Sequence, residues 1–189
     1  MNDISHSYDE SKIKTLSSLD HIRKRPGMYI GRLGDGSNHD DGIYILLKEV
    51  VDNAVDEFIM GVGKRINISI SPTGFVTVRD FGRGIPLGKV VDCVSTINTG
   101  AKYNTDVFQF SVGLNGVGTK AVNALSEVFI VTSYREGKFV SATFNDGKLI
   151  DKSEGDTEEK NGTFIEFMPS TQMFPGFIFD PAFVEKRLW

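Results

Sequence analysis

Apolar residues recur at helical spacing from Ile43 to Met60. Ile43, Leu46, Leu47, Val50, Val51, Ala54, Val55 and Phe58 repeat at i, i+3 and i+4, the mark of an amphipathic helix. Beyond it the period drops to two. In Arg65–Ser71, Ile66, Ile68 and Ile70 alternate with polar neighbours, as in a half-buried strand. Phe75–Asp80 is a second strand, and "SPTG" between them is a turn, so the pair predicts a hairpin.

The flanking pattern is weaker but readable. Residues 1–16 form a polar arm. Residues 18–25 predict a short helix, with Ser17 or Ser18 as its cap and Pro26 as its stop. Arg25–Gly42 is rich in glycine and aspartate and reads mostly as loop. Short helices are expected at 87–97 and 117–126, then strands at 127–134, 138–145, 148–152 and 163–168. "REGK" and "NDGK" are turns between strands, and Glu154–Gly162 is a solvated loop. Asp180-Pro181 caps and opens a last helix, with proline at the favoured first position. This order predicts an α+β fold. It is a two-layer sandwich of one mixed, mostly antiparallel sheet with helices on one face.

Composition narrows the function classes. The chain has 189 residues, 40% hydrophobic and 24% charged, with one cysteine (Cys93) and three histidines. A disulfide framework and a cysteine-based zinc site are excluded. No apolar run is long enough to span a membrane, and the N-terminus lacks the apolar stretch of a signal peptide, so a cytoplasmic protein is expected. The net charge of −4 argues against a surface that grips DNA by itself, despite the basic "HIRKR" at 21–25.

Three clusters could carry chemistry. Glu49, Asn53 and Glu57 fall in one stripe, at i, i+4 and i+8, on the border of the helix's apolar face. A carboxylate there can deprotonate a water, and an amide oxygen can ligate a hard cation such as Mg²⁺. A solvated polar face is the bland alternative. Next, Asp80 keeps phase with Val76 and Val78, which puts it at the edge of the core. There it needs donors, and an exocyclic amine of adenine with a water would supply them. Gly82 and Gly84 would let backbone approach a flat ring, and Arg83 would either cover that ring or pair with Glu57. A tight turn leaving a strand is the alternative. Last, Gly113, Gly116 and Gly118 follow the spacing G-x-x-G-x-G before a helix. That is neither the Rossmann nor the Walker pattern. It suits an anion held by backbone N–H groups, or merely a hinge and cap.

Taken in order, "E-x-x-x-N-A-x-D", "D-x-G-R-G-I-P", "G-L-N-G-V-G" and a late "N-G-T" resemble the GHKL ATPase superfamily. "IRKRPGMYIG" (22–31) and "TKAVNALS" (119–126) narrow the resemblance. They are similar to the ATPase domains of bacterial type II topoisomerase B subunits, those of DNA gyrase and topoisomerase IV. The resemblance implies ATP and Mg²⁺ as cofactors, with Glu49 as general base and Asn53 as metal ligand. It places Asp80 on the adenine amine, with Val78, Ile85 and Pro86 lining the slot beside Glu57, Arg83 and Gly84. Thr163 joins the network around Asp80. Gly113, Leu114, Asn115, Gly116, Val117, Gly118 and Thr119 form a lid over the triphosphate, with Lys102 nearby. Tyr8 reaches across a nucleotide-dependent homodimer. Arg135 stands where aminocoumarin inhibitors are contacted in the family.

The implied partners are DNA, through the whole enzyme, and a topoisomerase A-type subunit. The implied domains are an arm at 1–16, the ATP-binding domain at 17–175, and at 176–189 the start of a connection to a transducer domain. That second domain supplies a lysine to the γ-phosphate, so the chain alone is expected to bind nucleotide and hydrolyse it weakly. A nucleotide-gated dimerisation module without turnover, or another GHKL ATPase, is the alternative. Asn115 and Val112 depart from the histidine and glycine frequent in gyrases.

Overall fold

The computed structural model describes residues 16–99 and 116–188. The helices are α1 (Ser18–Lys24), α2 (Gly27–Ile30), α3 (Gly42–Ile59), α4 (Val90–Ser95), α5 (Gly118–Ala124) and α6 (Pro181–Leu188). The strands are β1 (Ile66–Ile70), β2 (Val76–Asp80), β3 (Ser126–Arg135), β4 (Lys138–Asn145), β5 (Lys148–Asp156) and β6 (Gly162–Pro169), and a 3₁₀ turn at Leu87–Lys89 leads into α4. They form one sheet in the order β1-β2-β6-β3-β4-β5. Each described pairing is antiparallel, so the sheet lies at the antiparallel end of the mixed sheet expected.

One face of the sheet carries the core. The register lines up Val76, Phe167, Phe129 and Phe144 in one row, and Val78, Ile165, Val131 and Ala142 in the next. All eight are buried. Against them α3 lays Ile43, Leu46, Leu47, Val50 and Ala54, and α5 lays Ala121, Val122 and Ala124. Truncating one such large side chain to alanine costs about 2–5 kcal/mol, so the two rows fix the seating of α3 and α5.

Local chemistry sets the helix ends. Ser17 caps α1, its Oγ accepting from Asp20 N–H at 3.2 Å. Arg23 on α1 donates to the Ala124 carbonyl at the end of α5 (2.7 Å) and pairs with Asp146 in the β4–β5 turn (2.9 Å). This ties the basic stretch to the helix that follows the glycine cluster. Asp180 opens α6 by accepting from Ala182 N–H at 2.8 Å.

Several expectations need correction. The stretch 25–42 holds a turn of helix, α2, because Tyr29 and Ile30 N–H groups both donate to the Pro26 carbonyl. The helix expected at 87–97 is a 3₁₀ turn followed by α4, which ends at Ser95. Strand β5 runs to Asp156, four residues past its expected end, because its backbone stays paired with β4 even where every side chain is exposed. Phe58, in phase with the apolar stripe of α3, is 56% exposed, while Tyr44 is fully buried. Tyr44 Oη donates to the Gly36 carbonyl and accepts from Asp180 N–H, and its ring meets Phe179 and Phe183 edge-on. Residues 176–188 therefore pack on α3. An apolar groove runs between the β1–β2 hairpin and α6, lined by Ile68, Pro72, Phe177, Phe179, Val184 and Leu188.

Candidate nucleotide site

The site grows from the stripe on α3. Glu49, Asn53 and Glu57 are each half-buried, at the border predicted from their spacing. Asn53 Nδ2 donates to the Glu49 carbonyl (2.9 Å) and to Thr119 Oγ1 on α5 (2.7 Å). Gly118 sits so close to Glu49 that a Cβ there would overlap the carboxylate. The first and third clusters thus meet, although they are 66 residues apart in sequence.

Glu57 anchors the second cluster. Arg83 approaches it through Nε (3.1 Å to Oε2) and Nη2 (2.8 Å to Oε1), and the Arg83 N–H adds a bond to Oε2 at 2.8 Å. Of the two fates open to Arg83, the structure takes the pair. Donating to the Glu57 carboxylate pushes the Arg83 pKa further up. Gly82 serves this pair, since a Cβ on it would come within 2.6 Å of Glu57 Oε2. Gly84 has φ +75° and lies against the end of β3, where a Cβ would meet the Tyr134 carbonyl at 2.6 Å. Both glycines therefore have a packing role within the protein. Ser133 Oγ, which sequence reading missed, donates to the Ile85 carbonyl at 2.7 Å and pins the loop. Its only sequence signal is its phase with Val131 on the buried face of β3.

Asp80 ends β2 on the buried face, 7% exposed. Its Oδ1 accepts from Gly82 N–H (2.9 Å) and Thr163 N–H (3.1 Å), so Thr163 joins Asp80 through its backbone. No described residue donates to Oδ2. Desolvation pushes the carboxyl pKa up from 3.8, and the two N–H donors only partly oppose it. Below pH 3.8 residue 80 is protonated in folded and unfolded chains alike, and its burial carries no charge penalty. Above the raised folded value, ionisation opposes folding. Asp80→Asn is therefore expected to raise the melting temperature at pH 7, with the gain shrinking as the pH falls toward 3.8. Thermal melts of both proteins across that range check it.

Val78 is buried beside Asp80, Ile85 and Pro86 follow on the pinned loop, and Gly116 (φ +58°), Val117, Gly118 and Thr119 lead into α5. Lys120 is buried and donates to the Thr99 carbonyl at 2.6 Å. Arg135 ends β3, its Nε 3.3 Å from Glu136 Oε1. Tyr8, Lys102, Val112, Gly113, Leu114 and Asn115 lie outside the described residues. Glu49 and Asn53 bring a hard oxygen donor set, which suits Mg²⁺ shared with phosphate oxygens and waters. Among the described residues no cluster of three His, Cys, Asp or Glu side chains could hold a metal by itself, and no helix is long and apolar enough to cross a membrane.

The profile of the histidine kinase-, DNA gyrase B-, and HSP90-like ATPase family matches residues 38–172, which span every described residue of the three clusters. The chain belongs to this family. It is 58% identical over 185 residues to the B subunit of DNA topoisomerase 4 from Borreliella burgdorferi, covering 98% of this chain and 31% of that one. It is 38% identical to the B subunit of DNA gyrase from Thermus thermophilus, covering 96% and 30%. The 43K ATPase domain of Thermus thermophilus gyrase B, solved in complex with an aminocoumarin, superposes with a TM-score of 0.73 at 32% identity. That match covers 90% of this chain and 44% of the other. The chain thus spans about a third of the length of these two relatives.

Proposed function

We propose that this chain is the ATP-binding and ATP-hydrolysing part of the B subunit of a type II DNA topoisomerase. The carrying observation is the meeting of Glu49 and Asn53 with Gly118 and Thr119, which joins a base and a hard-cation ligand to the glycine cluster. Bound Mg²⁺ would neutralise charge on the phosphates. Glu49 takes the proton of the attacking water, and Asn53 offers its amide oxygen to the cation. Gly116 to Thr119 follow the triphosphate, with Gly113, Leu114, Asn115 and Lys102 completing the lid. At the other end Asp80 accepts from the adenine amine, beside Val78, Ile85 and Pro86. The Glu57–Arg83 pair keeps that loop in place. Phosphoryl transfer to water requires this kind of positioning and charge neutralisation more than covalent steps.

In the whole protein, ATP closes a homodimer clamp on DNA, with Tyr8 reaching the partner's nucleotide and an A-type subunit cutting the DNA. Residues 176–189 lead toward the transducer domain. The higher identity to the topoisomerase IV relative favours that assembly over gyrase. An aminocoumarin would contact Arg135, and the protein works in the cytoplasm. Calorimetric titration with a non-hydrolysable ATP analogue, with and without Mg²⁺, tests the reading. Saturable binding strengthened by Mg²⁺ is expected, and no binding at millimolar analogue overturns it.

A further inference from the structure

Behind Asp80, on the sheet face away from the helices, Arg79 is enclosed by two aromatic rings. Its guanidinium lies 4.7 Å from the centre of Phe81 and 4.5 Å from that of Tyr134, and Arg65 covers Phe81 at 4.7 Å. Nη1 donates to the Asp80 carbonyl, and Nη2 donates to the Lys160 carbonyl at 2.5 Å. One planar group therefore bridges the end of β2 to the segment that enters β6. Those two backbones supply the carboxylate and one of its donors, Asp80 Oδ1 and Thr163 N–H. A guanidinium suits this role because its donors form a rigid fork and its faces stack on rings. Four residues after Asp80, Gly84 rests on Tyr134, so one tyrosine braces both the clamp and the loop.

We propose that Arg79 is a positioning residue for base recognition, holding β2 and β6 at the spacing that aims Asp80 at an exocyclic amine. The proposal rests on the ATP-site reading above. Arg79 lies on the sheet face opposite Asp80, so its loss should lower the preference for a 6-amino purine over a 6-oxo purine while leaving the phosphate grip unchanged.

The test compares non-hydrolysable adenosine and inosine triphosphate analogues by calorimetry on the 189-residue chain. In Arg79→Ala the adenosine-to-inosine affinity ratio is expected to fall about tenfold, through loss of adenosine-analogue affinity alone. An equal loss for both analogues, or an unchanged ratio, overturns the proposal. Should Arg79→Ala fail to fold, Arg79→Lys decides. It keeps the charge but cannot bridge two carbonyls as a fork, so its ratio should also fall, by about threefold or more. A wild-type ratio there overturns the proposal. Asp80→Asn separates the two levels of argument. If it leaves the ratio unchanged, or the wild-type protein shows no preference, the site reading fails and the proposal with it. If Asp80→Asn abolishes the preference and the Arg79 variants keep it, only the proposal fails.

Discussion

Glu49→Gln is expected to stop ATP hydrolysis while sparing ATP binding. In a protein carrying the following domain, kcat should fall by about 10²–10⁴, the range typical for losing a positioned general base. Glutamine keeps the length and most of the volume of glutamate, so the close contact with Gly118 survives. The bond from Asn53 goes to the backbone carbonyl of residue 49, which the substitution leaves in place. What disappears is the ability to take a proton from water. Affinity for a non-hydrolysable ATP analogue should stay within about threefold, because the ground-state contacts are retained. Phosphate-release assays and calorimetry on the same preparation read the two quantities. Hydrolysis that survives shows that another group is the base. An equal collapse of binding shows that Glu49 holds the nucleotide instead. Under the proposed assembly, the 189-residue chain by itself should turn over far more slowly than a protein that also carries the transducer domain. Equal rates would mean that a transducer domain contributes nothing to the reacting phosphate.

The site was legible where side-chain periodicity decides placement. The stripe of Glu49, Asn53 and Glu57 follows from 100° per residue on a helix whose apolar face is unmistakable, and Asp80 follows from its phase with Val76 and Val78. Tyr44 and Phe58 show the limit of the same argument. Which residues flank an apolar stripe as core depends on what packs there, and α6 packs over Tyr44 while nothing described covers Phe58. Strand β5 escaped partly because its last residues, "KSEGD", have no buried face to betray a period of two. Backbone pairing with β4 alone holds them extended. Arg79 was illegible for a related reason. It acts through backbone carbonyls of Asp80 and Lys160, the second of them 81 residues away, and carbonyls leave no trace in residue identity. The packing role of Gly82 against Glu57 is likewise invisible in sequence, because the two residues are distant in the chain and meet only in the fold.

Gly162→Ala is expected to be the most damaging single substitution at the Asp80 end of the candidate site. Gly162 opens β6 at φ +137°, a conformation that L residues seldom adopt. A Cβ there would also overlap the Asp80 carbonyl and the Arg79 guanidinium. The carbonyl belongs to a strand whose preceding residues are paired on both sides, so it cannot give way as a flexible side chain would. Strain and displacement together should cost on the order of 3 kcal/mol or more. At roughly 2–4 °C per kcal/mol for a domain of this size, the melting temperature should drop by about 6–12 °C. Gly61→Ala is the matched control: its φ is +76°, but nothing lies within 4 Å of the added methyl, so only the backbone penalty of about 1 kcal/mol applies. Equal losses in the two variants would show that the overlap at Gly162 is relieved cheaply. Removing Arg79 as well clears one obstruction and leaves the other. The double variant should therefore stay unstable, and its nucleotide preference should match that of Arg79→Ala. The residue before Thr163 thus has to be glycine for the arginine fork and the Asp80 backbone to share the space beside it.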